Sequence, residues 1–200
     1  MRTFIIRARK GTTRWERVRS QIGGKPHFEV VAHSVINAFF ISNDFRRDVE
    51  VYIVLDSSED FPHTIKLSSA DGLSLAGFHE EAVISLIEKS LKDSRGLRKD
   101  ETQIADPGIK VSGFGFERVV SELFKTRPLY LLDRDGVDIR DTELELNPVF
   151  ILSDHLAMPK KTVNSLKRKG LNTISLGNKM LFASQCVVLL NYEMDRIRFA

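Results

Sequence analysis

Apolar residues recur along this chain with two periods, and the periods alternate. Residues 3–6 and 49–55 are short runs rich in β-branched and aromatic side chains, with the length and composition of strands. Between them, residues 28–41 carry apolar positions at helical spacing, which predicts a βαβ unit. Ala82, Val83, Leu86, Ile87 and Leu91 mark one face of a helix over residues 78–92, and Phe116, Val119, Val120, Leu123 and Phe124 mark a shorter one. Further strands are predicted at 129–132, 149–152 and 173–176, with a brief amphipathic helix over 160–169 between the last two. The pattern is that of an α/β protein, with a mostly parallel sheet and helices on both faces. Residues 92–111 are the longest stretch without a pattern, either a functional loop or a weak boundary.

The chain closes with ISLGNKMLFASQCVVLLNYEMD, residues 174–195: a strand, a glycine turn and a helix apolar nearly all the way round. Its longest nearly apolar run, 180–190, is interrupted by Ser184 and Gln185 and falls short of the roughly 20 residues a membrane span requires. No membrane association is expected, so the helix must be covered by protein.

Composition narrows the class. With 200 residues and 42% hydrophobic content, one domain over 1–200 can bury its own core. Cys186 is the single cysteine, which excludes an internal disulfide, a Cys-rich zinc site and a redox pair. The start, MRTFIIRARK, lacks the long apolar segment of a signal peptide, so a cytoplasmic location is expected. The net charge of +3 is unevenly spread: Arg2, Arg7, Arg9, Lys10, Arg14, Arg17, Arg19 and Lys25 face only Glu16. This tract, with Trp15 inside it and Gly23 and Gly24 near its end, predicts a mobile basic arm over about 9–27 with one aromatic platform, suited to a polyanion. The alternative is a solvated loop whose charge aids solubility. A second cluster, Lys160, Lys161, Lys167, Arg168 and Lys169, favours nucleic acid.

Several familiar chemistries do not fit. GFGF at 113–116 precedes a helix, yet the third glycine of a dinucleotide fingerprint is replaced by Arg118. GLSLAG at 72–77 has its second glycine one residue too far for a nucleophile elbow and predicts a plain turn. DRDGVD at 133–138 lacks the spacing and closing Glu of a calcium loop, and Asp135–Gly136 predicts another turn. His27, His33, His63, His79 and His155 are scattered, without metal-ligand spacing, so no metal is expected.

Two strand ends remain. PVFILSDH (148–155) and NTISLGN (172–178) are buried-strand patterns that finish in small and polar residues, one crossover apart. In an open parallel sheet, ligands lie beyond the carboxyl ends of the strands, so both point to one site. Gly177 permits close approach of backbone to ligand, and a helix following at once would offer unpaired N–H groups near Lys179, Met180 and Leu181. Alternatively, Gly177 is only a turn glycine and Asn178 only an N-cap.

FILSDH followed by NTISLGNKMLFASQCVVLLNYEMD resembles the C-terminal half of the SPOUT methyltransferases, trefoil-knotted enzymes that use S-adenosylmethionine. The likeness is closest to the prokaryotic tRNA pseudouridine N1-methyltransferase group and extends to the N-terminal FIIRAR, the AHSVINAFF helix and the DPG loop. The resemblance implies a deep knot in a cofactor-binding part over about 128–200, a homodimer packed through it, and methylation of N1 of the pseudouridine at position 54 in the TΨC loop of tRNA. It places S-adenosylmethionine among Leu132, Ser153, Leu176, Gly177, Asn178, Lys179, Met180, Leu181 and Cys186. Ser153 departs from the glycine common there, which bears on cofactor affinity. Methyl transfer to a ring nitrogen must align two reactants and remove one proton. Asp154 and His155 beyond the strand end, and Asp106 in the DPG loop, are the candidates for orienting the base or taking its proton. Arg7 and Arg9, leaving the first strand, are candidates for phosphate or ribose, with Arg14, Trp15, Arg17 and Arg19 for the rest of the RNA. The closing helix would then face its own core on one side and a partner subunit on the other, through Leu189, Leu190 and Tyr192. Other readings are a knotted RNA-binding dimer without turnover, a SPOUT enzyme acting on another tRNA or rRNA nucleotide, and an oxidoreductase built on GFGF.

Overall fold

The structure, a computed structural model, describes residues 1–24, 27–57 and 59–197, so Lys25 of the basic tract lies outside it. Within these residues, ten strands and five α-helices follow one another in the order β1 (Arg2–Ala8), α1 (Phe28–Phe39), β2 (Phe40–Ile41), β3 (Asp44–Phe45), β4 (Val49–Leu55), β5 (His63–Ser68), α2 (Glu80–Asp93), β6 (Thr102–Asp106), β7 (Ile109–Ser112), α3 (Phe116–Phe124), β8 (Leu129–Asp138), β9 (Val149–Ser153), α4 (Lys160–Arg168), β10 (Asn172–Ser175) and α5 (Ala183–Ile197). β2 and β3 form a small ribbon; the other strands make one eight-stranded sheet in the order β10-β8-β9-β1-β4-β5-β7-β6. β10, β8, β9, β1 and β4 run parallel, whereas β5, β7 and β6 continue the sheet antiparallel.

Alternation along the central strands sorts two cores. Phe4, Ile6, Val51 and Ile53 face one side, where Val31, Val35, Ile84, Ile87, Val187 and Leu190 of α1, α2 and α5 cover them. Ile5, Val54, Leu131 and Ile151 face the other, beneath Phe116 and Val120 of α3 and Leu166 of α4. The expected α/β sandwich with helices on both faces is present, and the expected βαβ unit is β1-α1-β4 with parallel pairing.

Two sequence expectations need correction, and one strand was missed. Residues 92–111 are not irregular throughout, because β6 and β7 form an antiparallel hairpin there, turned by Asp106, Pro107 and Gly108. Gly108 has φ +70, and a Cβ on it would lie 2.4 Å from the Leu73 backbone nitrogen, so only glycine fits. β5 also went unpredicted. Asp135 and Gly136 do not form an isolated turn but lie within β8. β10 pairs with β8 at Thr173↔Leu131 and then at Ile174↔Val137, so residues 132–136 are pushed out of the ladder as an excursion. A Cβ at Gly136 would come 2.7 Å from the Ile174 carbonyl carbon, which explains the glycine where β8 returns against β10.

Candidate active site

The excursion and the strand ends enclose a cleft of about 540 Å³ at the carboxyl edge of β8, β9 and β10. Leu132, Ser153, Leu176, Gly177, Lys179, Met180, Leu181 and Cys186 all line it, so the structure gathers every residue expected at the cofactor except Asn178, which is exposed outside the lining. The cleft's size suits a nucleoside-sized ligand, within the roughly 300–1,000 Å³ of small-molecule sites. Its floor is apolar, from Leu131, Ile151 and Ile174, and polar groups stand along its walls. That combination fits S-adenosylmethionine: Leu131, Ile151 and Ile174 would hold a flat base, and loop backbone around Gly177 would serve its polar edges.

The loop that carries Gly177 differs from expectation. α5 starts at Ala183, so Lys179, Met180 and Leu181 belong to a loop and offer no helix N-terminus. The helix begins where it does because the Gln185 side chain accepts a hydrogen bond from Phe182 N at 3.0 Å, while Phe182 O accepts from Cys186 N. Gly177 has φ +112, and nothing lies within 4 Å of a Cβ built on it. Its glycine is therefore required by backbone conformation, beside open cleft, and not by contact with neighbouring protein. Ser175 Oγ accepts from Gly177 N at 3.1 Å and tightens the turn. Ser153 has no left-handed backbone, and its Oγ faces the Met158 sulfur at 3.9 Å, so the hydroxymethyl is accommodated along the wall. Burial pushes the Cys186 thiol up to about 11, as befits a packing residue rather than a nucleophile.

Asp154 and His155 stand side by side on the wall. Asp154 N donates to Arg7 O at 3.1 Å, fixing the residue to the end of β1, and Asp154 Oδ1 accepts from Leu156 N at 2.8 Å. The other oxygen, Oδ2, is buried with no hydrogen-bond partner, and so is His155 Nδ1, 3.7 Å away. Leaving such atoms unpaired costs about 1–3 kcal/mol each, so the pair is kept beside the cleft against a cost, as functional groups are. Burial holds the Asp154 carboxyl above the usual range, against the opposing hydrogen bonds from Leu156 and Arg9 N–H and the nearby positive charges.

Other expected residues lie elsewhere. Asp106 sits in the β6–β7 hairpin at the far edge of the sheet, 2.7 Å from Lys89 Nζ, and is absent from the cleft. Arg7 is not free for phosphate: it is buried, pairs with Asp56 at 2.6 Å, reaches Thr162 Oγ1 at 3.3 Å and stacks its guanidinium on Phe116 at 4.3 Å. Arg9 is closer to the site, donating to Ala157 O at 3.3 Å. The basic arm is folded, not loose, because Val18 is fully buried and two 3-10 turns, Trp15–Arg17 and Arg19–Gln21, lie against α2. Trp15 is half-buried with Lys92 Nζ 5.1 Å above its ring, Arg17 pairs with Glu59, and Arg19 pairs with Glu81 and Glu88; Arg14 stays exposed. The GFGF glycines are packed, with a Cβ at Gly113 falling 2.6 Å from Arg98 O, which leaves no phosphate cradle. Sequence reasoning missed Met158, Phe182 and Gln185, and it missed His27, whose ring meets that of His155 edge-on at 4.5 Å. The two histidines are far apart in sequence, so only the fold could join them.

Known proteins resemble this chain along nearly its whole length. Residues 1–199 match the family described as "Putative SAM-dependent RNA methyltransferase". Among curated proteins, a "Putative pseudouridine methyltransferase" of Shewanella baltica (strain OS185) is 45% identical over 195 residues, covering 98% of both chains. The protein of that description from Vibrio cholerae is also 45% identical, covering 98% of this chain and 97% of its own. Among solved structures, Nep1 of Archaeoglobus fulgidus, bound to S-adenosylhomocysteine, shares the fold with a TM-score of 0.65 at 14% identity, over 100% of this chain and 99% of that one. The shared fold agrees with the SPOUT resemblance in the sequence, and the oxidoreductase reading falls. The chain belongs to the family of S-adenosylmethionine-dependent RNA methyltransferases.

Proposed function

We propose that this protein is a cytoplasmic enzyme, one domain over residues 1–200, that methylates N1 of pseudouridine at position 54 in the TΨC loop of tRNA. The observation that carries the reading is the cleft beyond the ends of β8, β9 and β10, whose lining brings Asp154 and His155 beside Ser153, Leu176 and Gly177. S-adenosylmethionine supplies an electrophilic methyl group on a sulfonium. Pseudouridine, unlike uridine, has a free N1–H, and the curated relatives carry pseudouridine in their names. As N1 gains the methyl group, the carbon–sulfur electron pair returns to sulfur and the N1 proton must leave. The candidates to accept it are Asp154 and His155 of the cleft lining, whose Oδ2 and Nδ1, closed to solvent and 3.7 Å apart, have no hydrogen-bond partner. The remaining task is alignment, which falls to the loop around Gly177 and to Arg9 at the cleft rim.

The same reading includes a trefoil knot in residues 128–200 and a homodimer through that part. Support comes from α5, where Val188, Leu189 and Tyr192 are exposed, as are Met180 and Phe182 in the loop before it, while Leu190 is buried within the protomer. Apolar residues so grouped fit a subunit contact. Nucleoside mass spectrometry of tRNA from cells with and without the protein tests the reaction: 1-methylpseudouridine should vanish from the TΨC loop with the gene. Its persistence, or loss of a methyl mark elsewhere, would redirect the assignment to another nucleotide. Sedimentation at micromolar concentration tests the assembly, and a monodisperse monomer would remove the dimer.

A further inference from the structure

His27 is placed at a backbone cost. It has φ +49, one of three non-glycine residues with positive φ among those described, and it stands immediately before α1 at the end of the basic arm. A β-carbon residue keeps such a conformation only where the surroundings impose it, and such residues gather at functional sites. Two contacts use the position. His27 Nδ1 lies 3.1 Å from Glu29 Oε1, while Glu29 Oε2 accepts from Gly23 N at 3.2 Å, so one carboxylate ties the arm and the His27 ring to α1. On its other side the His27 ring meets the His155 ring, centroids 4.5 Å apart at 74°.

The consequence lies at His155. Its Nδ1 is 3.7 Å from Asp154 Oδ2, just beyond hydrogen-bond reach, and neither atom has another partner. An imidazole so little restrained by hydrogen bonds is oriented by what packs on its face. We propose that His27 is a positioning residue for the methyl-transfer reaction, holding the His155 ring towards Asp154 so that the pair can receive the proton of the substrate nitrogen. The inference rests on the reading of Asp154 and His155 as the proton acceptors. The titratable and charged groups around the ring pair are Glu29 on α1, Asp154 after β9 and Arg9 after β1. Because Gly23, Glu29 and His27 are linked, the seat of the basic arm and the geometry of the proton acceptors are mechanically joined. The arm thereby has a task in the cleft separate from its charge.

The test uses the full chain with S-adenosylmethionine and a pseudouridine-containing RNA hairpin. His27→Ala should lower kcat about tenfold, with KM for the hairpin and calorimetric affinity for S-adenosylmethionine within about twofold of wild type, since a loosened acceptor affects the chemical step and not binding. His27→Phe, which keeps a flat ring against His155, should restore most of the rate. In the unliganded protein, the ring nitrogen signals of His155 by NMR should move in His27→Ala and return towards wild type in His27→Phe. A wild-type kcat in His27→Ala with unmoved His155 signals would overturn the proposal, as would a loss confined to KM for RNA, which would make His27 an RNA contact. If the wild type transfers no methyl group to pseudouridine, the parent reading fails, and the His155 signals alone then decide whether His27 positions that ring.

Discussion

Burial penalises the charged form of Asp154, and this has a measurable sign. Its carboxyl binds a proton more tightly in the fold than in the unfolded chain. Such a group contributes stability that is present below the ordinary carboxylate range and lost as pH rises through the folded value. Asp154→Asn, a neutral near-isostere, should therefore melt close to wild type at about pH 4 and above it at about pH 8, where the wild type must bury a carboxylate. A thermal shift equal at both pH values would show that the carboxyl is not held up. Gly177 yields a second expectation. Its φ of +112 is costly for any side chain, and open cleft surrounds the missing Cβ, so Gly177→Val should reshape the loop more than it disturbs the core. Strain of roughly 1–3 kcal/mol would reduce calorimetric affinity for S-adenosylmethionine about tenfold to a hundredfold, with the unfolding temperature little changed. Wild-type affinity would mean that this loop does not grip the cofactor.

At the scale of elements, α5 is held by more than its apolar face. Arg2 at the start of β1 is 1% exposed and donates to Asn191 Oδ1 at 3.1 Å and to Asp195 Oδ1 at 2.9 Å, with Asp48 on its other side. Asn191 in turn donates to Asn37 O on α1 at 3.0 Å. Asp195 keeps Arg46 at 2.6 Å when Arg2 is removed, but the buried Asn191 Oδ1 loses its donor, so Arg2→Ala should destabilise the fold by about 1–3 kcal/mol in chemical unfolding. A loss under about 1 kcal/mol would show that packing alone anchors the helix. None of this pairing was legible in sequence, because it joins opposite ends of the chain. What was legible is the set of elements buried along one continuous apolar run: β1, β4, β9, β10 and the helices α1 to α4 fall where periodicity placed them. β5 and the β6–β7 hairpin escaped because they interleave Lys66 and Lys110 with few apolar residues, and Ile104 on the edge strand is 74% exposed. The cleft was half legible. The strand ends carried the wall with Ser153, Leu176 and Gly177, whereas the 132–136 excursion depends on a register shift between two strands, and His27 on the path of the arm.

For the whole molecule, the open matter is which cations meet RNA. Sequence alone makes Arg14, Arg17 and Arg19 equivalent members of one basic tract, but folding divides them. Arg17 and Arg19 are engaged by Glu59, Glu81 and Glu88, and Arg7 by Asp56, so their charge is largely offset within the protein. Lys10 and Arg14 on the arm, and Lys160 and Lys161 at the start of α4, are exposed and have no carboxylate ion pair among the described residues. Lys10 and the α4 lysines approach one rim, since Arg9 beside Lys10 reaches Ala157 just before α4, and Val163 of α4 lines the cleft. A phosphate backbone crossing that rim would bring a base to the cleft mouth, and each phosphate neutralised there would release about one counterion. Replacing Arg14, Lys160 and Lys161 together by alanine should therefore flatten the plot of log affinity for tRNA against log salt by about 0.7–0.9 for each phosphate left without its cation, with the fold unchanged. Replacing Arg17 and Arg19 should leave that slope alone and lower the unfolding temperature, because it releases the arm from α2. Trp15→Ala should act in the same way, since the ring is already packed between the core and Lys92. The slope is measured by filter binding or fluorescence anisotropy over a salt series. If the Arg17 and Arg19 pair flattens it while the α4 lysines do not, the carboxylates give up their arginines to the RNA, and the tRNA runs along α2 instead of across the cleft rim.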